Sequence, residues 1–164
     1  CGFSVTVRDV EPPRVACAVQ ISQLWPPNHT MRNVGLAASA VDNCPGPLPL
    51  TVAVFGDEDD ETQTGDGRFS PDARDIAADS LRLRAERIGG QNGRVYLDRV
   101  STVDSSGNPG WACCTNTVPL GQSYEWLTSV EQQAQAAEAY CDANGTAPPA
   151  FVVVGDGPVI GSKQ

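Results

Sequence analysis

Residues 80–108, SLRLRAERIGGQNGRVYLDRVSTVDSSGN, restrict the fold more than any other part of the chain. Apolar and charged residues alternate through SLRLRAER, which predicts a strand with one apolar face. The glycine-rich turn that follows tolerates positive φ, so the chain can reverse there. The run after the turn, RVYLDRVSTV, is rich in β-branched and aromatic residues. Its apolar residues change from odd positions (Val95, Leu97) to an even one (Val100), and a bulge near Asp98 or Arg99 would place them all on one face. We therefore predict a central β-hairpin, which other strands must cover because an isolated hairpin is unstable in water.

Short strands and frequent turns are also predicted for most of the remaining chain. The 164 residues include 16 Gly and 13 Pro, and 40% are apolar, which is the profile of one all-β sandwich domain. Further strands are predicted for VACAVQIS, MRNVGLAASAV, LTVAVF and WACCTNTVPL.

The N-terminal residues form a distinct element. Phe3, Val5 and Val7 alternate with polar residues, which predicts a strand with one apolar face. Pro12-Pro13 ends this strand, because proline lacks the amide that a sheet ladder requires. A strand with a free edge either pairs within its own chain or is donated to a neighbouring copy. Donation from head to tail builds an open filament unless the contacts close into a ring.

The C-terminal part changes from strand patterns to a helix pattern. Ser123 is a suitable N-cap, apolar residues recur at three- and four-residue spacings, and Asn144-Gly145 is a natural stop. AFVVVGDGPVIG then predicts a short terminal strand, which could complete a neighbour or accept a donated strand. The predicted organisation is a strand over 1–11, a β-sandwich over 12–120 and a helix-plus-strand extension over 121–164.

The charge excludes two classes of partner. A net charge of −9 argues against binding nucleic acid or an anionic membrane surface, because both need basic patches. No apolar run approaches the roughly 20 residues of a membrane-spanning helix.

The six cysteines predict disulfide bonds and therefore an extracellular protein, secreted or on a cell surface. One histidine and no C-x-x-C pair make a zinc site an unfavourable interpretation. The two adjacent cysteines point to opposite faces of a strand and need different partners. The expected bridges are Cys17 with Cys44, one of Cys113 and Cys114 with Cys141, and the other with Cys1, either within the chain or in another subunit.

An acidic stretch suggests a calcium site. Nine carboxylates but only two arginines lie between Asp57 and Asp79. Closely spaced oxygen ligands with glycine turns suit Ca²⁺, which takes six to eight oxygens, although the spacing does not match an EF-hand loop. The alternatives are a solvated acidic loop, or neutralisation by Arg82, Arg84 and Arg87 on the next strand. The candidate ligands are Asp42, Asp57, Glu58, Asp59, Asp60, Asp66, Asp72, Asp75 and Asp104.

No catalytic centre is evident. The single histidine, His29, is a candidate ligand or base, but with no second histidine a structural hydrogen bond is the preferred interpretation. Paired carboxylates for glycoside hydrolysis would need a flanking aromatic platform, which the acidic stretch does not offer. We therefore predict that the protein is not an enzyme.

Several motifs occur in a recognisable order, namely PPRVAC, LWPPNHTM, VDNC, LRLRAERIGGQNGRVY and VDSSGN. Together, over roughly residues 9–119, they resemble an immunoglobulin-like module of bacterial secreted and cell-surface proteins, related to hyalin repeats and marked by a Pro-Pro-Asn-His motif. The resemblance implies a β-sandwich with an adhesive or structural role and no catalytic centre. Tandem modules of this kind end in a C-x-F-x-V-x-V-x-D strand followed by Pro-Pro, so CGFSVTVRDVEPP resembles the closing strand of another module.

These features predict an extracellular structural protein, an immunoglobulin-like β-sandwich with a C-terminal α-helix and a short terminal strand. We expect its copies to form a homo-oligomeric filament by donating the strand that carries Phe3, Val5 and Val7, with Ca²⁺ and disulfides as stabilisers. The alternative is a monomeric module for cell adhesion that binds surface glycans.

Overall fold

The computed structural model describes residues 2–59 and 69–155, and these ranges are mostly β, as the sequence predicts. They contain nine strands and one α-helix. In chain order the elements are β1 Arg14–Ala18, β2 Met31–Asn33, β3 Ala37–Val41, β4 Thr51–Gly56, β5 Ala73–Ala77, β6 Ser80–Arg84, β7 Arg94–Val103, β8 Pro109–Val118, α1 Tyr124–Asn144 and β9 Val152–Val153. The strands form three antiparallel sheets with the orders β1-β3, β2-β6-β5 and β8-β7-β4-β9.

The prediction of a hairpin between the two halves of residues 80–108 is wrong. β6 pairs with β2 and β5, whereas β7 pairs with β4 and β8. After β6 the chain remains bonded to the Pro-Pro-Asn-His segment, because the Ala85 amide donates to the Thr30 carbonyl and the His29 amide donates to the Ala85 carbonyl, both at 2.9 Å. These bonds extend the pairing of β6 with the residues before β2 as far as Ala85. The hairpin in this region is instead β7–β8, with ten residue pairs.

β7 also lacks the bulge expected near Asp98 or Arg99, since its register with β8 is continuous. The change of parity has another cause, which is burial of both strand faces. Val95 and Leu97 pack towards α1 in one apolar cluster, whereas Tyr96 belongs to the cluster between the sheets. The outer face that the sequence suggested was solvated is covered by the helix.

Three other strand predictions need correction or refinement. The run MRNVGLAASAV forms two strands in different sheets, because the chain bends at Gly35, where φ is 65°. β5 lies inside the predicted acidic loop, where its charged residues conceal a strand pattern. The terminal strand is observed as the two residues of β9, and its expected continuation over 156–160 lies outside the described residues.

One apolar core joins the three sheets. Val34 and Leu36 beside β2 and β3, Leu83 in β6, Val54 in β4 and Tyr96 in β7 are all fully or almost fully buried in it. Contacts between residues far apart in sequence therefore dominate this core.

The predicted helix and both of its caps are confirmed. Ser123 has an extended backbone and its hydroxyl accepts from the Trp126 amide, while Gly145 ends α1 in the left-handed conformation with φ of 67°. Val130, Ala134 and Ala137 are buried against β7 and β8. The helix therefore builds a second core on the outer face of the four-stranded sheet.

Residues 2–10, hereafter the N-terminal segment, belong to none of the sheets. The alternative that this segment pairs as the first strand within its own chain is therefore wrong for the described residues. Pro13 anchors the end of the linker that follows, because its carbonyl packs closely against Gly110, where a Cβ atom would not fit.

Candidate functional site

The N-terminal segment exposes a row of apolar side chains. Phe3, Val5 and Val7 are 90%, 74% and 91% exposed, and Val10 is 74% exposed. Alternate residues of an extended chain share one face. Phe3, Val5 and Val7 therefore form a single apolar stripe. A soluble protein rarely leaves such a stripe uncovered, and stripes of this kind mark contact surfaces.

A group of acidic residues surrounds the root of this segment. Side-chain ligand atoms of Asp9, Asp42 and Cys44 all lie within 4.8 Å of one another. Asp9 Oδ1 accepts from the Glu11 amide and Asp42 Oδ1 accepts from the Cys44 amide. The second carboxylate oxygen of each aspartate is buried without a hydrogen-bond partner in the described part of the chain.

Asp104 is connected to the same group through Asn108. The Asn108 amide nitrogen Nδ2 donates to Asp104 Oδ2 at 2.8 Å and to the Asp9 carbonyl at 3.4 Å. Desolvation works to raise the pKa of Asp104, but hydrogen bonds from Asn108, Ser106 and Gly107 outweigh it and hold the pKa below its usual value. An ionised carboxylate therefore persists beside the cluster to low pH.

The thiol of Cys44 responds to these negative charges. Its pKa is raised, first by a hydrogen bond with Asp9 and then by desolvation and by the carboxylates of Asp9, Asp42 and Asp104. A protonated thiol is a poor metal ligand. The cluster thus offers carboxylate and carbonyl oxygens, which suit Ca²⁺ better than zinc.

The other predicted calcium ligands do not join this cluster. Asp75 is paired with Arg82 at 2.5 Å, and Asp72 with Arg84 at 3.0 Å, so the alternative of neutralisation by arginine is confirmed for these two aspartates. Asp57 accepts from the Val95 amide, and burial raises its pKa to about 6. Asp59 is exposed and carries other interactions, whereas Asp60 and Asp66 lie outside the described residues.

Glu58 and Asp72 belong instead to a buried ion network. Arg94 donates to Glu58 at 2.8 Å, to the Tyr96 hydroxyl at 3.0 Å and also to Asp72. Burial alone would lower the pKa of Arg94, but Tyr96, Asp72 and Glu58 outweigh it and raise the pKa well above its usual value. The charges compensate one another inside the protein, so this network has a structural role.

His29 has the structural role that the sequence predicts. Its Nδ1 atom lies 2.8 Å from Glu86 Oε2, and its ring packs against Phe69. Burial raises the pKa of Glu86, although the hydrogen bond with His29 opposes this shift. Together with the Arg84 bond to the His29 carbonyl, this pair fixes the Pro-Pro-Asn-His segment against the end of β6.

The predicted bridge between Cys17 and Cys44 is wrong. Cys17 is bonded to Cys114, which faces it across the core, whereas Cys44 is an exposed free thiol in a loop. The prediction failed because it paired cysteines close in sequence, and the packing of β1 near β8 joins residues 97 positions apart. The bridge from the adjacent pair to Cys141 is confirmed and uses Cys113. Cys1 lies outside the described residues.

Sequence reasoning missed the most unusual buried group, Asp98. Its side chain is fully buried in β7, opposite Cys114, and neither oxygen has a hydrogen-bond partner in the described ranges. Burial raises its pKa to about 8. The apolar residues around it in sequence gave no warning, because its position suited the polar face of a half-exposed strand.

Asp9 was also missed as a candidate ligand. Its signal is its position two residues before Glu11 and three before the Pro-Pro link, which carries a carboxylate to the edge of the folded body. Phe3, Val5 and Val7 are exposed as a donor strand requires, but the described residues contain no partner for them.

Two disulfides are typical of a protein that folds in an oxidising environment such as the cell exterior. Over the described ranges, no helix has the length and apolar character needed to cross a membrane. No protein-family model, curated protein or solved structure matches this chain.

Proposed function

We propose that this chain is an extracellular structural protein whose copies join head to tail into a filament. Each copy donates its N-terminal segment to a sheet edge of the next. The observation that carries this proposal is the stripe of Phe3, Val5 and Val7, alternating as in a strand but between 74% and 91% exposed. Unpaired strands with one apolar face commonly add to the sheet edge of a partner.

The stripe supplies a substantial part of the free energy that association requires. Burying the three side chains would contribute roughly 1.5–3 kcal/mol each. Association itself costs about 4–15 kcal/mol, and part of that cost is the ordering of a flexible segment. A device that orders the segment in advance would therefore strengthen the contact substantially.

The acidic cluster at the root of the segment is suited to be that device. We infer that Asp9, Asp42 and Asp104 bind Ca²⁺, with carbonyl oxygens and water completing the shell. The two carboxylate oxygens of Asp9 and Asp42 that are buried without partners support this assignment. Because Asp9 is on the segment while Asp42 and Asp104 are on the body, one ion would hold the segment in a fixed direction.

The fold assignment supports the same role. Three sheets share one core, and a disulfide joins β1 to β8 across it, an arrangement that we interpret as an immunoglobulin-like β-sandwich. The stretches that resemble hyalin-related modules lie in this core and in the loops around it. Modules of that kind have adhesive and structural roles in secreted and cell-surface proteins.

The test is the size of the protein in solution with calcium present. Phe3→Asp with Val7→Asp removes two residues of the stripe, and Ser4→Asp with Thr6→Asp adds the same charge to the opposite face. We expect the first pair to weaken self-association at least about a hundredfold, since each lost side chain is worth about 1.5–3 kcal/mol. The control pair should retain assembly. A parent chain that stays monomeric at high concentration would reject assembly and leave the glycan-binding adhesion module.

A further inference from the structure

A groove with mainly apolar walls lies between α1 and the residues that follow it. It has a volume of about 330 Å³ and is lined by Ala136, Ala137 and Tyr140 of α1, by Pro148 and Phe151, and by Asp57. The wall is therefore mostly apolar, and Asp57 and Gln133 contribute its polar groups. Tyr140 is 37% exposed, so the groove opens to solvent.

An incomplete sheet edge lies directly beside this groove. β9 pairs with β4 only at Phe55 and Gly56, although β4 spans six residues. Val152 and Val153 remain 40% and 50% exposed, and β9 is the last strand of its sheet in the described ranges. Backbone groups on the free side of β9 are therefore available to an added strand.

The charge at the groove disfavours an acidic occupant. Asp57 places one carboxylate in its wall, whereas Glu138 and Asp142 of α1 are hydrogen-bonded to β8 at the opposite edge of the sheet. The part of the N-terminal segment from Gly2 to Arg8 contains no acidic residue, and its apolar side chains are exposed. This part of the segment therefore offers an apolar face without a repelling charge.

We propose that the groove and the free edge of β9 accept the N-terminal segment of a second copy of this chain. The donated strand lies along β9 and places Phe3 in the groove, while Val5 and Val7 extend the same apolar face over Val153, which shares the face of Phe151. Successive residues of a strand advance about 3.3 Å, so the segment from Phe3 to Val7 would extend past the described end of β9. This assignment rests on the proposed function, because it names the acceptor for the strand whose donation was proposed above.

Photo-cross-linking tests the contact. Phe3 is replaced by p-benzoylphenylalanine in the full chain, mixed with ¹⁵N-labelled chain and irradiated in calcium. We expect links between labelled and unlabelled copies that map to residues 133–153. Links between copies that map elsewhere would overturn this acceptor and leave strand donation standing. Links confined to one copy, or none in a monomeric sample, would overturn both.

A pair of helix substitutions tests the groove independently. Ala136 and Ala139 are both exposed on α1, but only Ala136 lines the groove. We expect Ala136→Arg to fill the groove, exclude Phe3 and weaken self-association at least about tenfold, whereas Ala139→Arg should change it less than about twofold. Equal effects of the two substitutions would overturn the assignment of the groove.

Discussion

Asp98 should make the protein less stable as the pH rises, and Asp98→Asn should remove most of this dependence. Burial raises the pKa of Asp98 from 3.8 to about 8, so the folded protein holds its proton more tightly than the unfolded chain does. This proton makes its full contribution to the free energy of unfolding below about pH 4, and the contribution is lost as the pH rises towards 8. Each pKa unit corresponds to about 1.4 kcal/mol, so the loss between pH 4 and pH 7 is about 4 kcal/mol.

The assay is urea unfolding of the parent and the variant at several pH values, with both disulfides intact. The buried amide of Asn lacks partners too and costs about 1–3 kcal/mol, but that cost does not depend on pH. The quantity to follow is therefore the change with pH in the difference between the two unfolding free energies. Asp79→Asn, in an exposed turn, is the matched control and should leave this difference flat.

We expect the unfolding free energy of Asp98→Asn to rise relative to that of the parent from pH 4 to pH 8, by about 4 kcal/mol or more in total. A difference that varies by less than about 1 kcal/mol over this range would refute the reasoning. It would mean that Asp98 is ionised and solvated, or paired, in the folded protein.

Three further outcomes follow from the buried network, the acidic cluster and the second disulfide. Arg94→Met should lower the free energy of unfolding by about 3–5 kcal/mol in urea, because it leaves Glu58 without its cation and removes one of the two arginines paired with Asp72, whereas exposed Arg14→Met should change it by less than about 1 kcal/mol. Calcium should raise the melting temperature of the parent but not of Asp42→Asn, and an equal rise in both would reject the site. Replacing both Cys113 and its partner by serine should cost roughly 3–4 kcal/mol, since the bridge closes 28 residues, and an unchanged melting temperature would contradict this.

Local patterns predicted the parts of the fold that local interactions determine. The helix was found with both ends because Ser123 and Gly145 act within one turn of the residues that they cap. β4 was found because its apolar run is continuous, and β8 because residues typical of strands fill most of it. In contrast, the partner of a strand depends on residues far away, so β6 and β7 were predicted correctly as strands but wrongly as neighbours.

Burial on two sides explains the errors around β7. The pattern was interpreted with one face in water, which led to a bulge that does not exist. α1 covers the face of Val95 and Leu97, and that packing arises from residues about 35 positions further on. The same assumption concealed Asp98, because a polar residue in a strand normally marks the solvated face.

The candidate site was only partly predictable for a similar reason. Acidic residues adjacent in sequence suggested one calcium loop, but Asp72 and Asp75 are neutralised by arginines from β6. Asp42 and Asp104 were expected from turns at strand ends, and folding places them around Asp9. Which carboxylates meet is a property of the tertiary fold, whereas the amphipathic stripe of the N-terminal segment is visible in the sequence.

Hydrogen exchange along the N-terminal segment tests strand donation most directly. Within a single copy the amides of residues 3–8 have no ladder partner in the described structure, so in dilute solution they should exchange at nearly the rates of an unfolded peptide. As concentration rises in the presence of calcium, we predict protection at alternate amides and slower exchange along β9. Exchange that stays fast at every concentration, or protection that does not depend on concentration, would contradict the donation of this strand to another copy.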